Sequence, residues 1–147
     1  DKIEFTTEPE SVWTYNTKDD KWLSYKPGVN ATDLKEMKDG VGYWIKVNST
    51  AKLTIKGLQN VKPAETPQSY KVYDGWNLIG YRNPENYENS MQRSEYLGKV
   101  DNNLEAMFNE NFNLIDQGGD LDAGEGYWLA SVGEGTIYPG SSFQPVD

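Results

Sequence analysis

The stretch Gly40-Val41-Gly42-Tyr43-Trp44-Ile45, "GVGYWI", returns at residues 124–129 as "GEGYWL". Two adjacent large aromatics behind two spaced glycines, spelled twice, mean either twin ligand sites or one structural unit used twice. The flanking sequence bears on that choice. Upstream of the first hexamer lie "VWTYN" (12–16) and "KWLSY" (21–25); upstream of the second lie "AMFN" (106–109) and "FNLI" (112–115). Tyr15-Asn16 aligns with Phe108-Asn109, and Trp22 with Phe112. Downstream, "LTIKG" (53–57) matches "TIYPG" (136–140). Four segments recur in one order with gaps confined to loops, so the chain contains a diverged duplication.

Each recurring segment alternates large side chains with small or polar ones, the period of a half-buried strand. Asn16 to Asp20 is turn-forming, which predicts a hairpin between residues 11–16 and 21–25. Asn48-Ser49-Thr50 and Gly133-Glu134-Gly135 predict two more, each hexamer folding back on the strand after it. Between the copies, residues 62–67 read as a linker. Asp74-Gly75 then signals a turn into the strand "WNLIGY" (76–81). A short helix is expected near Ser90 to Leu97, capped by Asn89 or Ser90 and ended by Gly98, with a weaker helical turn at Thr32–Met37. The first copy has only residues 1–10 ahead of its aromatic hairpin, so Ile3 to Thr6 substitutes for the "GWNLI" strand, or the chain begins partway through its first repeat. The expected fold is all-β: a pseudo-symmetric sandwich or barrel of two related antiparallel units, 1–60 and 61–147, packed as one domain. Such small units have too little core to stand apart.

Composition narrows the chemistry. Nineteen aromatic residues, five of them Trp, point to a core built from large rings rather than many aliphatics. A net charge of −9 repels phosphate backbones and disfavours nucleic acid. The chain has no cysteine, which excludes disulfides, thiol catalysis and cysteine-ligated metals. It has no histidine either, which removes the usual general base and the commonest transition-metal ligand. No run of 18 apolar residues exists to span a membrane as a helix.

With "GWNLI" at 75–79, "VWTYN", "KWLSY", the segment from Leu34 to "GYWI", and "LTIKG", the chain resembles a module repeated in surface-layer-associated and secreted proteins of archaea, especially methanogens, and of some bacteria. The second copy supplies Leu121 to Leu129 and Ile137 to Gly140 of the same pattern, though its hairpin carries Phe where the first has Trp. The resemblance covers about four fifths of the chain. It implies an extracellular or cell-surface, non-catalytic accessory module beside surface anchors or catalytic domains, with a structural or interaction role. Its partners would be neighbouring surface-protein domains, or a polysaccharide if it serves as a carbohydrate-binding module.

Three groups of residues are candidate sites. Neighbouring strand residues face opposite ways, so one ring of Tyr43-Trp44 and one of Tyr127-Trp128 turns outward. Packing is the first reading of these rings; stacking on a sugar, with Trp22 beside them, is the second. The loop Asp116 to Glu125 gathers Asp116, Asp120, Asp122 and Glu125 among glycines. It reads first as a solvated acidic turn, and otherwise as a calcium loop outside the EF-hand pattern. Asn30 and Asn48 head N-x-[ST] sequons and are candidate glycosylation sites. Acids abound, but no separable pair is set in an aromatic cleft as glycoside hydrolysis needs.

Overall fold

The structure is a computed structural model and describes residues 2–56, 69–82 and 90–139. The fold is all-β; the described residues include one short helix, and every strand pairing among them is antiparallel. The first unit holds β1 (Lys2–Phe5), β2 (Ser11–Asn16), β3 (Lys21–Tyr25), β4 (Trp44–Lys46) and β5 (Leu53–Lys56). The second opens with β6 (Tyr70–Val72), β7 (Gly75–Gly80) and β8 (Ser90–Gln92). Helix α1 (Arg93–Leu97) and a 3-10 stretch, Gly98–Asn103, follow. It closes with β9 (Leu104–Phe108), β10 (Asp120–Asp122), β11 (Gly126–Ser131) and β12 (Gly135–Ile137).

The two units pair their strands on a similar plan. β2 lies between β3 and β4; β9 pairs with β11 and bridges Leu114 through Phe108. β1 pairs with β5 as β6 pairs with β12. Each hexamer enters its strand through a left-handed glycine, Gly40 at φ 76° and Gly124 at φ 86°. Each tyrosine hydroxyl then accepts an amide five residues back, Lys38 N to Tyr43 at 2.6 Å and Asp122 N to Tyr127 at 2.7 Å. One alignment changes: Trp22 faces Tyr15 across its hairpin, and the residue facing Phe108 is Leu114. Phe112 matches Asp20 instead, both in the left-handed region at φ 58° and 49°.

The units differ by one block. Between β6 and β9 the second unit has β7, β8, α1 and the 3-10 stretch; the first runs from β1 straight to β2. The strand at Lys2–Phe5 is therefore the counterpart of β6 rather than a substitute for "GWNLI". β7 serves both hexamers. One edge forms a six-residue ladder with β11, from Gly126–Gly80 to Ser131–Gly75. The other bridges the first hexamer at Val41–Ile79, with Gly42 N donating to Leu78 O and Gly80 N to Gly40 O, both at 3.1 Å. The Arg82 guanidinium reaches the Asp39 carboxylate at 2.8 Å beside this junction.

The crossing strands explain the glycines. A Cβ on Gly42 would stand 2.8 Å from Ile79 O, and one on Gly80 2.8 Å from Val41 O. Backbone meets backbone here, and a side chain does not fit.

The hairpin between β2 and β3 is as the sequence predicts. The two hairpins after the hexamers are not: β11 already has β7 and β9 on its edges, so β12 pairs with β6, and β5 pairs with β1 rather than with β4. The helix begins at Arg93 because Ser90–Gln92 is drawn into a ladder with β10; Asn89 lies outside the described residues, as do the linker 62–67 and the end of the chain. Gly98, at φ 55°, ends the helix as expected. Thr32–Met37 forms no helical turn, since Leu34 N bonds Ser24 O and the Asp33 carboxylate accepts Ser24 N at 2.7 Å, holding the segment along β3.

The main core belongs to the second unit. Tyr96, Leu97 and Val100 seat against Val72, Met107, Leu121, Leu129 and Ile137, all but fully buried. Each such side chain contributes about 1.5–3 kcal/mol by leaving water. Arg93 and Asp101 form a largely buried pair at 2.9 Å; the Arg93 guanidinium also donates to Ile115 O at 2.7 Å and its amide to Gly119 O at 2.8 Å, which ties the acidic loop to the helix. The first unit buries Val12, Thr14 and Leu34.

Candidate functional site

Cross-strand partners share a sheet face. In the sheet β3-β2-β4, Trp13 stands opposite Ser24 and Trp44, and Tyr15 opposite Trp22. Four rings therefore project from one face while Val12 and Thr14 point to the other, where both are buried. In the sheet β7-β11-β9, Trp128 lies between Leu78 and Phe108, and Trp76 stands opposite Ala130, on one face. The two ring-bearing faces meet at Trp128. Its centroid is 5.8 Å from Tyr15, 5.7 Å from Trp22 and 6.4 Å from Trp76, and Trp76 is 6.0 Å from Phe108. Thr14 Oγ1 donates to Gly42 O at 2.8 Å and Thr17 Oγ1 to Trp76 O at 2.7 Å, fixing the units beneath the rings.

All five tryptophans thus lie on this one aromatic surface. Trp13, Trp22, Trp44, Trp128 and Phe112 line an open groove of about 720 Å³. The Tyr-Trp pairs divide as strand geometry requires. Tyr127 is only 3% exposed and Tyr43 is half-buried. Burial raises both phenol pKa values, opposed by the amide each hydroxyl accepts. The tryptophans turn to the groove. The other repeat covers Trp128 in part, but Trp22 and Trp13 keep 46% and 43% of their surface in water. Such rings present flat apolar faces and indole N–H donors, and among the described residues the groove lining is made of Trp and Phe side chains.

Phe112 is a groove residue that composition alone does not single out as a ligand contact. The turn after β9 is wound around Asn109, whose Oδ1 accepts from the amides of Asn111 and Asn113, both at 3.0 Å. Phe112 N donates to Asn109 O at 3.0 Å. This turn holds Phe112 in the left-handed region, a cost of about 1–2 kcal/mol for a residue other than glycine. Its ring is 67% exposed and stacks on Trp44, interplanar angle 20° at 6.3 Å. Asp20 takes the same conformation at the matching place in the first unit, so the left-handed turn is common to both repeats, and what is particular to the second is the apolar ring it displays. Trp13 is a further groove residue, and Trp76 joins the adjoining aromatic surface through Trp128 and Phe108. Trp13 had a signal, being two residues from Tyr15 and so on its face; for Trp76 and Phe112 only the fold supplies the neighbours.

The acidic loop does not gather its carboxylates. Among the described residues no three of His, Cys, Asp and Glu converge as a metal site needs. Asp116, Asp120 and Asp122 are exposed. Glu125 turns towards Glu110 instead, and its pKa is raised by partial desolvation first and by that neighbouring acid second. Asn30 and Asn48 are both exposed in loops. Among the described residues no helix is long and apolar enough to cross a membrane. Family models, curated proteins and solved structures give no match to the chain.

Proposed function

We propose that this chain is a non-catalytic, glycan-binding module of an exported cell-surface protein, and that it holds a neutral polysaccharide against the aromatic groove. One observation carries the proposal: the outward rings of both hexamers and of the first hairpin converge on a single surface left open to solvent. Sugar rings stack their C–H faces on such rings while their hydroxyl edges stay in water, so no hydrogen bond is lost on binding. The net charge of −9 selects against anionic polymers. The exported setting rests on the resemblance to surface-layer-associated modules.

Affinity electrophoresis through gels containing neutral β-glucan, xylan or mannan tests this. Retardation is expected, with a shift in tryptophan emission, and both vanish in Trp22→Ala/Trp44→Ala. Free migration in every gel with unmoved emission overturns the reading. A neighbouring surface-protein domain is the second reading, favoured by a lining made of rings alone. It predicts no retardation, together with emission that changes only when the neighbouring domains are present.

A further inference from the structure

The two units share a plan, and the second shows what its plan requires. There, the edge of β11 facing away from β9 carries β7, and the space beneath the sheet is filled by α1 and the 3-10 stretch through Tyr96, Leu97 and Val100. In the first unit neither place is filled by the described residues. The edge of β4 facing away from β2 has no partner among the described residues. Beneath the sheet, on the face opposite the aromatic groove, lies a cavity of about 800 Å³ lined by Phe5, Val12, Tyr25, Leu34 and Met37, with Lys35, Glu36 and Glu8 at its polar margin. Met37 stands six residues before Tyr43, as Leu121 stands six before Tyr127; Leu121 is fully buried in the cluster that holds α1, whereas Met37 is only half-buried. The counterpart of β10, residues 36–38, forms no strand, because its partner β8 belongs to the block the first unit lacks.

We propose that this open edge and cavity form a docking site for a strand-plus-helix segment of the type Gly75–Val100, supplied by another polypeptide unit built on the same plan. The strand would extend the sheet at Tyr43, Ile45 and Val47, with main-chain hydrogen bonds giving affinity, and the apolar side of the following helix would fill the cavity. The occupant is defined by the chain's own second unit, where a segment of this chemistry seals the equivalent edge and core. β7 itself is not free to move across: its two edges are already bound to β11 and to Gly40–Gly42. The site therefore calls for a donor other than β7, from another unit of the same plan, and it is separate from the aromatic groove on the opposite face.

The test adds a synthetic peptide with the sequence of residues 75–100 to the intact chain and follows amide hydrogen exchange. Saturable one-to-one binding is expected, with exchange at Tyr43, Ile45 and Val47 slowed by about tenfold or more. Ile45→Pro removes an edge donor and should abolish binding while the slow amides of β11 stay slow. Should Ile45→Pro disturb the first unit, Met37→Arg, which puts a charge in the cavity and leaves the edge intact, should weaken binding in the same way. Absence of saturable binding overturns the proposal. So does protection confined to the second unit, or slow exchange at all three amides before any peptide is added.

Discussion

Gly42 and Gly126 occupy the same place in the two hexamers, yet an added methyl group should affect them in opposite ways. At Gly42 the new Cβ would lie 2.8 Å from Ile79 O and 2.9 Å from Leu78 Cγ. Ordinary contact begins at 3.4 Å, and the first obstacle is a carbonyl fixed in the β7–β11 ladder rather than a movable side chain. At Gly126 the nearest atoms would be Ile79 O at 3.7 Å and Gly42 Cα at 3.8 Å, both comfortable. Overpacking of the first kind costs about 1–3 kcal/mol. For a chain of this size that lowers the melting temperature by about 2–12 °C. Gly126→Ala restricts the unfolded chain without a clash and should be neutral or stabilising by up to about 1 kcal/mol. Thermal melts by far-UV circular dichroism, with urea titrations for free energy, measure both. Equal losses, or a larger loss for Gly126→Ala, would refute the claim that β7 is pressed between the two hexamers.

Three further outcomes follow from the geometry. Trp128→Ala, which removes three ring contacts at the junction of the units, should cost about 2–4 kcal/mol, whereas Trp44→Ala, with one stacked neighbour, should cost about 1 kcal/mol in urea titrations and yet lose polysaccharide retention. Burial raises the Tyr96 phenol to about 12, and Tyr70, hydrogen-bonded to it at 2.7 Å, is raised well above 10. Both folded values exceed the unfolded value, so their stabilisation is complete below pH 10 and is lost as pH rises towards 12. Tyr96 alone accounts for about 3 kcal/mol of that loss, and urea titrations across this range should fall less steeply for Tyr96→Phe. Chelator should leave the melting temperature of the wild type unchanged, because the carboxylates of the loop 116–125 do not converge; a rise on adding calcium would contradict this.

Much of this architecture can be read from local pattern. The alternation in "SVWTYN" and "KWLSY", with Asn16 to Asp20 between them, is enough for the hairpin, because turn chemistry and the two-residue period are short-range. The paired hexamers reveal the duplication, and Gly98 marks the helix end. The pairing of β12 with β6 is not legible, since it depends on β11 having both edges filled. The helical turn expected at Thr32–Met37 fails for a related reason: the Ser24 backbone claims Leu34 and Asp33, a tertiary contact that overrides weak local preference. The site divides in the same way. Trp22, Trp44 and Trp128 stand out as large rings on strands, but Phe112 reaches the groove only through a left-handed turn wound on Asn109.

The sequence by itself determines that this is an all-β chain carrying two closely similar aromatic hexamers and that one ring of each Tyr-Trp pair faces away from the other, because strand periodicity is a property of the backbone. It also rules out cysteine and histidine chemistry by composition. Only the tertiary structure decides which ring turns outward, and that all five tryptophans share one surface. A face becomes inside or outside only when another sheet covers it, and here the covering is set by β7, which binds both hexamers at once and leaves the tryptophan side of each partly open.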